Sequence, residues 1–204
     1  FTTLDPNLIP QFVQNCKYSI IEYDYKFCKF RSNEKCKKET GNECGCHEEL
    51  HGKYVSAFMH AAKTVFWMSE AQYSIYAQRF PFLEDPSDGS RQIILSSVFS
   101  EHTFAKLFEL KNNATDNGRY VVLGSDSWIK GKNESIKYCE DNNLEYDVLW
   151  NLDYDVFLEK LSQSAGLVYM PLGGDTCPRM VLEAQLMDKK VLTNGNVQHA
   201  IELI

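Results

Sequence analysis

Hydrophobic positions in the second half of the chain switch between two periods. Runs rich in β-branched and aromatic residues at 92–98, 119–124, 146–150, 166–170 and 190–193 predict five strands. Between them, 101–110, 132–142, 154–164 and 178–187 carry apolar residues at i, i+3/i+4 and i+7, the spacing of one buried helix face. Ser100 and Asp153 stand where the first and third of these helices would need a cap. Strand and helix in alternation predict an α/β fold with a parallel sheet covered on both faces, joined by right-handed crossovers, so that every strand-to-helix turn lies on one edge. The first 85 residues are less regular. Strands are expected at 18–23 and 64–68, helices at 54–63 and 70–79, and a turn-rich linker at 82–90 (FLEDPSDGS). This places a boundary near residue 86, between a smaller α/β domain (1–86) and a Rossmann-like domain (87–204). Residues 26–51 break the pattern, being polar and too long for an ordinary connection, and read as an insertion or an ordered functional loop.

The stretch 166–193, GLVYMPLGGDTCPRMVLEAQLMDKKVLT, holds a complete α/β unit. In such a unit ligands bind beyond the carboxyl end of the strand, where a following helix offers unpaired N–H groups and the positive end of its dipole to an anion. A phosphate-bearing ligand is therefore expected. Pro178 stands at a favoured first helical position, with Asp175 before it and Glu183 eight positions on, so both carboxylates can border one crevice. Asp175 as a simple helix cap and Glu183 as a solvated residue form the alternative. Glu183, however, sits among Val181, Leu182, Ala184 and Leu186, where an acid without a partner is costly.

Met170-Pro171, then Asp175, seven residues and Glu183-Ala184 resemble the carboxyl-terminal motif of the retaining GT-B glycosyltransferases, the family that includes sucrose synthases and many bacterial mannosyl- and glucosyltransferases. The resemblance spans 92–193; residues 1–85 resemble only the latter part of that family's amino-terminal, acceptor-side domain. It implies a GT-B type fold, a nucleotide-diphosphate sugar as donor, a glycan, lipid or protein as acceptor, transfer with retention, and no required metal. By the same resemblance Glu183 would hold the ribose hydroxyls and Asp175 the donor sugar. The Gly173-Gly174 turn and the Thr176 and Cys177 N–H groups would face the diphosphate. Gly124 would close the second strand, and Trp150 would mark the strand exit that contacts the base. The basic pair that the family places after the first strand is replaced here by Ser97 and His102, so the diphosphate charge would fall to Lys130, Lys132 and Arg179. A domain that binds sugar nucleotides without turning them over, or regulates through them, is the alternative.

Composition narrows the partners. A formal charge of −7 argues against a nucleic-acid partner, because a phosphate backbone selects a basic footprint. No apolar run approaches the roughly 20 residues of a membrane-spanning helix. Seven cysteines, with Cys139 and Cys177 far from the others, allow no complete disulfide framework and point to a reducing cytoplasm. The sequons at Asn113 and Asn133 carry no weight there. A start at Phe1 and an end inside an expected helix from about Val197 suggest a fragment. Cys28, Cys36, Cys44, Cys46 and His47, with His51 nearby, could bind zinc as an interaction module, against the alternatives of free thiols or a loop disulfide, and no CxxC pair is present. His60 reads as structural, and His199 as a residue that could reach the crevice.

Overall fold

All strands among the described residues, 8–85 and 91–199 of the computed structural model, belong to two parallel sheets. The chain divides between Ser96 and Ser97 into two units.

The first unit contains α1 (Ile9–Asn15), β1 (Ser19–Glu22), α2 (Asn33–Thr40), α3 (Leu50–His60), β2 (Thr64–Trp67), α4 (Glu70–Arg79) and β3 (Arg91–Ile94), with a 3-10 turn at Pro81–Glu84. Its sheet runs β1-β2-β3. β2 is central, burying Val65 and Trp67 against Tyr76 of α4, Phe80 and Phe27. α4 starts where the Ser69 hydroxyl accepts the Gln72 N–H at 3.0 Å and stops ahead of Pro81, whose ring disfavours a helical residue before it. α2 is capped in the same way, Ser32 accepting from the Lys35 N–H at 3.2 Å, and ends at Gly41 in the left-handed conformation.

The sequence places residues 92–98 in the second sheet. In the structure Arg91–Ile94 pairs in register with Thr64–Trp67 of β2, so this strand closes the first sheet and the boundary falls ten residues beyond 86. The insertion at 26–51 contains α2 and the start of α3, which begins at Leu50 rather than Tyr54. Of the expected linker, residues 86–90 lie outside the described residues, as do 200–204 of the expected terminal helix; 194–199 form turns.

The second unit contains α5 (Glu101–Asn112), β4 (Tyr120–Leu123), α6 (Lys132–Asp141), β5 (Tyr146–Leu149), α7 (Tyr154–Ser162), β6 (Gly166–Tyr169), α8 (Arg179–Leu186) and β7 (Lys190–Thr193). Its sheet runs β5-β4-β6-β7, every pair parallel. Alternation along the central strands sends Val121, Leu167 and Tyr169 to a core shared with Leu107, Leu158, Leu161, Val181 and Ala184 of α5, α7 and α8. Val122, Val168 and Met170 pack on the opposite face around Cys139 of α6. The sheet is thus covered on both sides. Ser100 caps α5 by accepting the Thr103 N–H at 3.1 Å, whereas Asp153 sits at the cap position of α7 without a side-chain hydrogen bond. No helix among the described residues is long and apolar enough to cross a membrane.

Candidate functional site

β4 pairs with β5 on one side and with β6 on the other, so the chain reverses its progress across the sheet between β4 and β6. The loops leaving these two strands meet at the carboxyl edge of the sheet, the edge where parallel α/β folds bind ligands. Gly131 ends the loop after β4 with φ +59°, and a β-carbon on it would lie 1.8 Å from the Met170 carbonyl oxygen. Only glycine lets the two loops approach so closely. The Leu172 N–H donates to the Ile129 oxygen at 3.0 Å. From the far side the Asn194 and Asn196 amides both donate to the Pro171 oxygen, at 2.9 and 2.8 Å.

Asp175 is held by main chain and side chain together. Its N–H donates to the Asn196 oxygen at 2.8 Å, and its own carbonyl accepts from the Gln198 N–H at 3.1 Å. Its carboxylate accepts from the Tyr169 hydroxyl and pairs with the Lys130 ammonium at 2.7 Å. Burial, then the Asp175 charge, push the Tyr169 hydroxyl well above the usual tyrosine range, so it remains a donor. Behind Asp175, His199 is fully buried, and burial lowers its pKa despite the facing Asp175 carboxylate and Thr176 backbone. A neutral imidazole results.

Glu183 lies in the second turn of α8 and is 2% exposed. Its Oε1 accepts from the Tyr154 hydroxyl at 2.7 Å and stands 3.6 Å from Nη2 of Arg179. Burial raises the Glu183 pKa; the Tyr154 hydrogen bond and the Arg179 charge oppose that rise. Arg179 also donates to the Tyr154 hydroxyl at 3.2 Å and lies over the rings of Phe99 and Tyr154, at 5.0 and 5.5 Å from their centroids.

These side chains border a cavity of about 350 Å³, within the range of small-molecule sites. Its walls are Leu123, Leu149, Trp150, Leu152, Phe157 and Met180, with Asn151, Tyr154, Arg179 and Glu183 supplying the polar groups. An apolar slot with a half-exposed indole and one buried carboxylate suits a flat ring that carries hydroxyl groups. Trp150 is 54% exposed on this wall. Gly124 fits beneath it, since a β-carbon there would lie 2.7 Å from that of Trp150.

The structure therefore brings Trp150, Arg179 and Glu183 together, and Lys130 and Asp175 into a separate pair. Asp175 does not line the cavity. The cations expected to face a diphosphate are engaged with carboxylates: Lys130 with Asp175, Arg179 with Glu183, and Lys132 with Asp126 at 3.3 Å. Gly173 is buried and Gly174 half-buried in the turn after β6. Thr176 and Cys177 precede α8, which begins at Arg179 with Pro178 as its cap rather than its first residue. Ser97 hydrogen-bonds the Cys177 sulfur at 2.8 Å, and His102 is exposed on the first turn of α5. Tyr154, Phe99 and Tyr169 were missed from the sequence. A hydroxyl-bearing residue opening the helix after β5 was the available signal for Tyr154; Tyr169 reads only as one more apolar strand position.

A second cluster occupies the first unit. The Sγ atoms of Cys28, Cys36, Cys44 and Cys46 lie within 4.8 Å of one another, all four residues are buried, and none forms a disulfide. This group could hold zinc. Neither histidine proposed alongside it belongs to it. His47 packs edge-on against Phe27 and Phe80, and His51 Nε2 hydrogen-bonds the Lys26 carbonyl at 2.7 Å. No family model matches the sequence, and neither a curated protein nor a solved structure matches it.

Proposed function

We propose that the second unit binds a nucleotide-diphosphate sugar and that the chain is a glycosyltransferase of GT-B type, retaining and without a required metal. The observation that carries this reading is the buried Glu183 carboxylate beside Trp150 in an apolar cavity at the sheet's carboxyl edge. In it the base stacks on Trp150 and the ribose diol donates to Glu183, whose Oε2 is the acceptor left once Oε1 has taken Tyr154 and Arg179. Asp175, held by Lys130 and Tyr169 and outside the cavity wall, receives donor-sugar hydroxyls in this reading. The Gly173-Gly174 turn and the Thr176 and Cys177 amides are the groups nearest the start of α8 for the diphosphate.

Titration with UDP and GDP tests the pocket directly. A hydrogen bond to a charged group contributes about 1.5–3 kcal/mol, so Glu183→Gln is expected to weaken nucleotide binding at least about tenfold. Equal affinity in wild type and variant would remove the ribose role.

One observation favours the non-catalytic reading. With Ser97 and His102 at the family's basic positions, and Lys130 and Arg179 already paired, compensation for a leaving diphosphate is weak. Incubation with a panel of sugar nucleotides separates the two. Release of nucleoside diphosphate in the presence of acceptor supports transfer; binding without release supports a sensing domain.

A further inference from the structure

Between Arg31 and Glu49 the cysteines are the only apolar side chains. α2, with sequence NEKCKKET, buries one residue, Cys36. A polar eight-residue helix has no face with which to dock and is marginal on its own in water. Yet it is ordered against the unit, and the point of attachment is a sulfur packed against three others.

The spacing of those sulfurs is informative. Cys36 and Cys46 stand 3.8 Å apart, Sγ to Sγ. A disulfide requires about 2.05 Å. A tetrahedron of thiolates with zinc–sulfur bonds of about 2.3 Å has edges of about 3.8 Å. Backbone amides also point at the sulfurs. The Phe30 N–H donates to the Cys28 sulfur at 3.4 Å, the Cys46 N–H donates to Cys44, and the Lys29 N–H donates to Cys46. Such donors stabilise thiolates and orient them, as the outer shell of a metal site does. The backbone is shaped around the same place. A β-carbon on Gly52, in the first turn of α3, would lie 2.3 Å from the Cys46 carbonyl oxygen, so the helix sits flush on the strand of chain that carries Cys44 and Cys46.

We propose that Cys28, Cys36, Cys44 and Cys46 are the four ligands of a structural zinc ion that fastens residues 28–46 to the first unit. Binding replaces the thiol protons, which pass to solvent, and gives a dianionic tetrathiolate centre with no change of oxidation state. Four protein ligands fill the coordination sphere, so the ion opens no position for substrate and serves folding alone. It joins the turn after β1, through Cys28, to α2 and to the approach of α3. The site belongs to the first unit and the proposed nucleotide pocket to the second, and its test is independent of transfer activity.

The test uses the whole chain, purified without chelator under reducing conditions. Elemental analysis is expected to find about one zinc per chain, unchanged in Cys16→Ser and lost in Cys36→Ser and Cys46→Ser. Cobalt exchanged into the wild-type site is expected to show the intense visible bands of a tetrahedral thiolate complex. Trypsin is expected to spare Lys35, Lys37 and Lys38 in the zinc-bound chain and to cut there once a chelator has removed the metal. Wild-type protein that carries no zinc, that carries iron in its place, or that shows these cysteines paired as disulfides by mass would overturn the proposal. So would tryptic cleavage that is identical with and without chelator.

Discussion

Gly131→Ala is expected to destabilise the second unit by about 3 kcal/mol or more, a large part of a domain's total stability. Two costs combine. Alanine in the left-handed region, at φ +59°, costs about 1 kcal/mol. The new methyl group would also lie 1.8 Å from the Met170 carbonyl oxygen and 3.0 Å from the Pro171 α-carbon. Those atoms belong to backbone tied down by Asn194, Asn196 and Ile129, so neither loop can yield without losing hydrogen bonds. Gly118→Ala is the control. Its φ of +76° is equally left-handed, but nothing lies within 4 Å of the added methyl, and a loss of only about 1 kcal/mol is expected. Urea unfolding followed by the fluorescence of Trp128 and Trp150, which both lie in this unit, measures the difference. Equal losses in the two variants would mean that the loops after β4 and β6 do not make this contact.

The second large effect belongs to Glu22, at the end of β1. Its side chain is 1% exposed, and burial pushes its pKa up to about 7 against an ordinary value of 4.5, with Lys26 only partly opposing the rise. Between those two values the unfolded chain has released the proton and the folded chain still holds it. The folded state binds more protons there, so stability falls as pH rises through the window from 4.5 to about 7, by about 3 kcal/mol in all. Below the window the full contribution is present. Glu22→Gln keeps an oxygen that can accept from Lys26 and from the Asp24 N–H, which donate to Oε1 at 3.3 and 3.2 Å, and it carries no titrating proton. Hydrogen exchange at the β2 amides is expected to lose protection in the wild type from pH 5 to 7, after correction for intrinsic exchange. Protection in the variant is expected to stay level and to exceed wild type at pH 8. Parallel profiles would refute the assignment.

Periodicity made the second unit legible almost element by element, because its strands and helices bury well-defined faces. It could not say which sheet a strand joins. Residues 91–94, Arg-Gln-Ile-Ile, read the same whether they pair with β2 or open the following domain, and partner choice is a long-range property that a local period does not encode. α2 escaped for the opposite reason: its sequence has no apolar stripe, and only the cap at Ser32 and the stop at Gly41 signalled a helix. In the pocket, the apolar neighbours of Glu183 correctly foretold a buried acid needing a partner. Its partner Tyr154, 29 residues away, comes from another helix, and no spacing rule reaches that far. Glu22 lies in the strand expected at 18–23, but nothing in the local pattern marks its side chain as the buried one.

Asp175 contributes two main-chain hydrogen bonds to the chain that follows β7, through Asn196 and Gln198, while its carboxylate is gripped by groups on the other side, Tyr169 and Lys130. The exit of the sheet's outermost strand is therefore stitched to the turn between β6 and α8. A shift of the Asp175 main chain would break hydrogen bonds on both sides of that seam, so the turn and the strand exit share one mechanical fate.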